Sequence, residues 1–451
     1  MANSNQTPLI TPTVPRVLLW TLGGLLGGLV GCLAAVFLTE WIKLLLTTVS
    51  ELGTLRLLLL PLLGVSLAVL ILFGLGRGQP VQTVAPHQGA SPSRWGSLIN
   101  WYSFPRDIAR ADLTGDVVRA SGVEERFPWH LAPLRALAIL STVGLGAPMG
   151  TESPAAHIGV ATGAWLGNAF PSLRPLVRPL AIGGGAAAVS ALMGIPLVGS
   201  FFMFELSQRR KVPTTPERVA AMLAGGLVGW RINLAFHLQL IRLIVPSPDP
   251  TNLWNGVAAA LFIGAISGSI TALTGEAIYW ARGWQTRPAI RLLIGGIAML
   301  LLAMLIGWIA TPAAAFGPGG AAIVWAETME TTPYHLLAVA LLRAMATTAA
   351  VLAGGCGGVF VPFLAIGDLS GRVFATALGI EGNLAGSAGS AAAIAGGYRL
   401  PLTAAAMVLG VGGSQGAQLT CLATVMVGAL TGLVTARIVS QLSSFIRNNQ
   451  P

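Results

Sequence analysis

The sequence predicts an all-α, polytopic membrane protein built from two inverted-topology repeats of tilted and broken helices. Three observations carry that expectation. Hydrophobic residues are 54% and charged residues 9% of the 451 positions, whereas a soluble domain carries about 25% charged residues. Long apolar runs alternate with runs of about half their length. Two motif blocks also recur in the same order along the chain.

The first long run, 17–37, follows Arg16 and is too long for the core of a signal peptide. Its Gly23, Gly24, Gly27, Gly28 and Gly31 form a ridge suited to close helix contact. Further runs are 55–75, 131–146, 219–240, 253–280, 289–310, 335–353 and 424–439. Shorter ones, 154–170, 196–206, 362–378 and 401–409, start or stop at Gly and Pro. A helix needs about 20 residues to cross the hydrocarbon core. Broken helices at membrane depth persist only where protein buries them or where they line a cavity. With 57 Gly and 28 Pro, breaks are plentiful, as in transporters whose half-helices meet near mid-membrane.

The net charge is +10, from 26 basic and 16 acidic residues. The basic residues gather in short loops, which fits membrane topology rather than nucleic-acid binding. The polar stretch 76–129 holds Arg77, Arg94, Arg106, Arg110, Arg119 and Arg126. A second cluster is Arg209, Arg210 and Lys211, and the tail carries Arg437 and Arg447. All are placed on the cytoplasmic side of a bacterial inner (plasma) membrane. The expected organisation is a cytoplasmic segment 1–15, a first repeat 16–245, a second repeat 246–441 and a tail 442–451 with no regulatory domain. Cys32, Cys356 and Cys421 are far apart and imply neither a disulfide framework nor a zinc site. No Gly-Lys-Ser/Thr phosphate loop or His-Glu-x-x-His pattern occurs. Neither cofactor nor metal is expected, and ATP-driven pumping has no support.

The repeat is read residue against residue. Gly150, Pro154, Ile158, Gly159 and Gly163 match Gly358, Pro362, Ile366, Gly367 and Gly371, each 208 positions on. Ala186-Ala-Ala-Val189 followed by Pro196-Leu197 matches Ala391-Ala-Ala-Ile394 followed by Pro401-Leu402, now 205 positions on. Broken helices favour an inverted relation between the two copies. In each copy a Gly-rich turn leads to a helix start with Pro in its first turn. Helix N-termini carry partial positive charge and free N–H groups, so they suit anions. Two such starts aimed at one point define an anion pathway. Glu152 stands at one of them, in an apolar region where an ionisable residue is costly. Its carboxylate can occupy an anion site and leave on protonation, or merely complement the helix dipole. Phe360 takes the corresponding place in the second copy.

Here the chain resembles the CLC family of chloride channels and chloride/proton antiporters. The family's Gly-Arg-Glu-Gly-Pro appears as Gly150-Thr151-Glu152-Ser153-Pro154, and its Gly-x-Phe-x-Pro as Gly358-Val359-Phe360-Val361-Pro362. The resemblance is specific over 128–206 and 354–410. It implies an inverted-repeat fold, a homodimer with one pore per subunit, chloride and protons as partners, and chloride as the bound substrate ion. Glu152 is then the gate, and the backbone N–H groups of Val359 and Phe360 bind the central anion. The family's Gly-Ser-Gly-Ile-Pro is not present as such. Its best match is Leu113-Thr114-Gly115-Asp116-Val117, where Thr114 supplies the hydroxyl, the alternative being a helix cap in a loop. The tyrosine of the family's last helix has no match, although Gln441 or Ser443 falls nearby by count. Glu205 matches the first of two inner glutamates, and Leu206 stands where the antiporters carry their inner proton acceptor. Glu205 could instead pair with Arg209, four residues on.

Arg343, in an apolar run, is expected either to snorkel or to raise the local potential for anions. His157 and Asp368 read as satisfied packing residues. The function expected is movement of chloride or a similar small anion, as an antiporter or as a passive channel. A remote alternative is an intramembrane enzyme using Glu152 as general acid/base.

Overall fold

The computed structural model describes residues 14–74, 113–114, 117, 129–209, 211–238, 252–284, 286–411 and 416–448. The stretch 76–129 with its arginines, and Arg210, Gly115 and Asp116, therefore lie almost wholly outside the described residues. Among those described, helices dominate. In the first half they are α1 (Val14–Ser50), α2 (Thr54–Val69, closing in a π turn Leu70–Gly74), α3 (Ala132–Gly144), α4 (Glu152–Ala169), α5 (Val177–Met193), α6 (Val198–Arg209) and α7 (Pro216–Phe236). In the second half they are α8 (Leu253–Gly283), α9 (Pro288–Ile309), α10 (Gly320–Thr328), α11 (Pro333–Ala353), α12 (Phe360–Arg372), α13 (Gly382–Tyr398), α14 (Pro401–Val411) and α15 (Leu419–Asn448). Eight helices of the described residues are long and apolar enough to cross a membrane.

Two outer helices outrun their apolar cores. α1 extends past the predicted end at 37 to Ser50, 37 residues in all, or about 55 Å at 1.5 Å per residue. That exceeds the roughly 30 Å hydrocarbon core, so the helix is tilted or projects beyond it. Its last turns carry Glu40 and Lys43, whose charged atoms lie 3.9 Å apart. α15 likewise begins before 424 and runs to Asn448, through the expected repeat–tail boundary at 441, because nothing near 441 breaks helix.

Hydrophobic-run reasoning does not find α5, α10 or α13. α5 and α13 are rich in Gly and Ala rather than in Leu, Val and Ile, and Gly has weak helix propensity. Tertiary packing overrides that propensity, and both helices are enclosed by the bundle: every residue from Leu384 to Gly396 in α13 is buried. Both boundaries of α13 fall 205 residues after those of α5, the offset of the second sequence block.

The glycines explain why nothing larger fits. A β-carbon on Gly184 of α5 would lie 2.2 Å from the Gly159 carbonyl oxygen of α4; one on Gly389 of α13 would lie 2.2 Å from the Gly367 carbonyl oxygen of α12. The same crossing is thus built twice from residues that correspond between the repeats. α5 packs on α1, α4 and α7, and α13 packs on α8, α12 and α15, so each repeat wraps a small-residue helix in three partners. Small residues let helix backbones approach within van der Waals contact, which drives association where lipid is as apolar as the helices.

Candidate functional site

The two repeats meet at their matched turns. Gly150 N–H donates to the Gly358 carbonyl at 2.6 Å, and Gly358 N–H donates to the Gly150 carbonyl at 2.8 Å. This antiparallel bridge joins the residues that lead into α4 and α12, so the two helix N-termini start side by side. Further bonds fix the turns. Thr347 of α11 donates to the Pro148 carbonyl at 3.1 Å, and Cys356 N–H donates to the Thr142 hydroxyl at 3.1 Å. Gly317 N–H donates to the Gly146 carbonyl at 2.8 Å.

Arg343 completes that scaffold. It is 1% exposed, so it does not snorkel as one sequence expectation had it. α11 carries it into the interior instead, where its guanidinium donates to the carbonyls of Ala314 and, at 2.9 Å, Gly317. A buried guanidinium needs such acceptors, because leaving its donors unpaired is costly. It holds the Gly317 segment that in turn holds Gly146.

Glu152 occupies the first position of α4 and is 1% exposed. Oε1 accepts from the Thr151 hydroxyl at 3.1 Å. Oε2 is buried without a hydrogen-bond partner and lies against Gly150, where an added β-carbon would meet it at 2.8 Å. The same hypothetical β-carbon would sit 3.1 Å from Val361 Cβ and 3.2 Å from Pro362 Cδ. The carboxylate therefore folds back over the bridge toward the first turn of α12.

Next to it lies a cluster of donors. The Thr114 hydroxyl donates to Ser153 Oγ at 3.1 Å, Ser153 Oγ and Tyr398 Oη share a hydrogen bond of 3.2 Å, and Val359 N–H donates to Tyr398 Oη at 3.3 Å. Three hydroxyls and one amide thus converge, and each hydroxyl can rotate to donate elsewhere. Phe360 makes edge-on ring contacts with Tyr398 at 5.3 Å and with Phe202 at 6.0 Å, walling the cluster with apolar surface. Of the expected site residues, Glu152, Thr114, Val359 and Phe360 are brought together here.

Tyr398 was missed by sequence reasoning, which sought a hydroxyl near the end of the chain. Gln441 and Ser443 lie on α15 with Gln441 exposed, because that helix runs past the position without turning inward. Tyr398 ends α13, just before Pro401. A polar-tipped aromatic closing a Gly/Ala helix at a motif boundary was the available signal.

Glu205 and Leu206 sit elsewhere, on α6. The Glu205 carboxylate caps α14: Leu402 N–H donates to Oε1 at 2.8 Å and Thr403 N–H to Oε2 at 2.8 Å. The Thr403 hydroxyl also donates to Oε2, at 2.6 Å. The expected pairing with Arg209 thus gives way to three donors at a helix start, where the dipole also favours a negative group. Leu206 is fully buried and offers no titratable atom. His157 lies 3.5 Å from Arg135. Asp368 pairs with Arg372 at 2.8 Å, while its Oδ1 stays buried without a hydrogen bond, so it is only half satisfied.

Two repeats that present paired helix N-termini, a buried carboxylate and a ring of donors within a multi-pass membrane helix bundle define an inverted-repeat anion-pathway protein. The sequence matches the voltage gated chloride channel family over residues 101–433, and the chain belongs to that family. It is 27% identical over 332 residues to the H(+)/Cl(-) exchange transporter ClcA of Yersinia pestis bv. Antiqua (strain Angola), covering 69% of this chain and 68% of that one. Its fold is similar to that of a CLC-type fluoride/proton antiporter, with a TM-score of 0.69 at 18% identity over 95% of this chain and 98% of that one. It is also similar to a slow cyanobacterial Cl-/H+ antiporter, with a TM-score of 0.65 at 18% identity over 98% of this chain and all of the other, 100%.

Proposed function

We propose that this chain exchanges chloride, or a similar small anion, for protons across the bacterial inner membrane, as a homodimer with one pathway per subunit. The observation that carries this is the Gly150–Gly358 bridge, which sets two helix N-termini together with the Glu152 carboxylate folded over them. When ionised, Glu152 is the anion that the helix starts favour. When protonated it loses that attraction, and a mobile anion takes its place. One carboxyl group thereby couples anion occupancy to proton occupancy. Thr114, Val359 and Phe360, joined by Ser153 and Tyr398, serve as the donors for the central anion, and neither metal nor organic cofactor is required.

Protons must still reach Glu152 from the inner side. Glu205 is held as a helix cap and Leu206 carries no proton, so water supplies that leg. The same two residues favour the second reading, a passive channel, in which the leg is absent. The enzyme alternative has less support, because the relatives that the chain matches are exchange transporters.

The decisive measurement is in liposomes with an imposed chloride gradient and no pH gradient, recording chloride and pH together. Uphill proton movement is expected. Chloride movement without a proton signal at any voltage rejects exchange and leaves the channel. Repeating the experiment with fluoride in place of chloride ranks the two anions.

Tyr398→Phe keeps the ring and removes only the hydroxyl. It is expected to weaken anion binding by about 1.5–3 kcal/mol, the value of a hydrogen bond to a charged group, or tenfold or more in Kd. Thr114→Ala should act in the same direction. Calorimetric titration with chloride checks both, and an unchanged Kd in Tyr398→Phe removes that hydroxyl from the anion's ligands.

A further inference from the structure

Away from the pathway, α1 and α7 leave a groove between them. It has a volume of about 410 Å³ and is lined by Leu25, Leu227, Val228, Ile232, Ala235 and Phe236, with Arg231 as its charged member. Leu25, Leu227 and Phe236 are exposed on the outside of the bundle. Arg231 is exposed too. Its guanidinium carbon lies 5.9 Å from the centre of the Trp230 ring, and no carboxylate of the described residues lies within ion-pair distance of it.

The depth of Arg231 gives the groove its meaning. α7 has 21 residues, or about 31 Å, roughly the thickness of the hydrocarbon core. Arg231 stands five residues before its C-terminal end, about 8 Å in by the helical rise. A cation at that depth extends its stem along apolar surface and places its charge near the headgroup layer. The apolar lining on either side accepts hydrocarbon, not water. Asn233 does not compete for the headgroup, because its amide donates to the Ala191 carbonyl at 2.6 Å.

We propose that this groove binds an anionic phospholipid, with an acyl chain along Leu25, Leu227 and Ile232 and the headgroup phosphate on Arg231. The opposite charges and the apolar lining fit that ligand and no soluble anion. Arginine suits phosphate by presenting several donors in a planar fork.

The test uses the full chain in detergent, supplied with equimolar phosphatidylglycerol and phosphatidylcholine and examined by native mass spectrometry. Wild type should retain phosphatidylglycerol preferentially. Arg231→Gln should lower that preference about fivefold, the worth of one basic residue near a membrane surface. Arg231→Lys should restore part of it. Leu227→Trp, which fills the groove, should lower retention of both lipids. Equal retention of the two lipids by wild type, or an unchanged preference in Arg231→Gln, overturns the proposal. Unchanged retention in Leu227→Trp overturns the acyl-chain placement. A shift in protomer number with no change in bound lipid overturns it in favour of a contact between copies.

Discussion

Glu152→Gln should abolish proton movement while leaving anion flux that no longer responds to external pH. Glutamine has nearly the size of glutamate and keeps an amide oxygen to accept from Thr151, so the fold is preserved. It is neutral at every pH, however, and neither competes as an anion for the two helix starts nor carries a proton. Under the proposed gating, lowering the pH protonates the carboxyl group of the native chain and clears the anion path. In the variant that step has nothing to act on. The expected trace is chloride efflux from liposomes with a flat pH profile and a proton signal at background. A variant that keeps the wild-type pH dependence moves the gate to another residue. One that conducts no anion at all shows that the charge, not the block, is what the pathway needs.

Glu205→Ala should have the largest effect on stability. The substitution strips three donors at the start of α14 of their acceptor: the N–H groups of Leu402 and Thr403 and the Thr403 hydroxyl. Thr403 is buried while Leu402 is exposed, and each buried donor left unpaired costs about 1–3 kcal/mol, so the loss is about 2 kcal/mol or more. It should appear as a lowered Tm in detergent. Glu205→Gln, which keeps one acceptor oxygen, should lie between. The same pair of variants separates a cap from a proton carrier. If Glu205 is only a cap, whatever protein survives in Glu205→Gln moves protons and chloride in the wild-type ratio. A changed ratio makes Glu205 part of the proton route and revises the water-mediated leg proposed above.

Much of the architecture is legible because lipid imposes so narrow a choice. Long Leu-, Val- and Ile-rich runs have to be helices that satisfy their own backbone groups, and the sequence places most of them within a few residues of their observed limits. Pro154 and Pro362 mark two helix starts that interrupt the apolar pattern, and their 208-residue separation exposes the duplication. α5 and α13 escape that reasoning, since a Gly- and Ala-rich stretch lacks the Leu-, Val- and Ile-rich signature by which the other runs are read. Their role shows only when Gly184 meets Gly159 and Gly389 meets Gly367.

The site divides along the same line. Sequence by itself determined that Glu152 is an ionisable group at a helix start in apolar surroundings, and that a matched start begins at Phe360, because both follow from local chemistry and spacing. Tertiary structure decided what stands across from what. The Gly150–Gly358 bridge, the approach of Tyr398 to Ser153 and Val359, the inward turn of Arg343 and the seating of Glu205 on α14 each join residues far apart in the chain. No local propensity encodes such contacts. They arise when two copies of a helix set close on one another, and a side chain's partner is then fixed by the packing of backbones rather than by its neighbours in sequence.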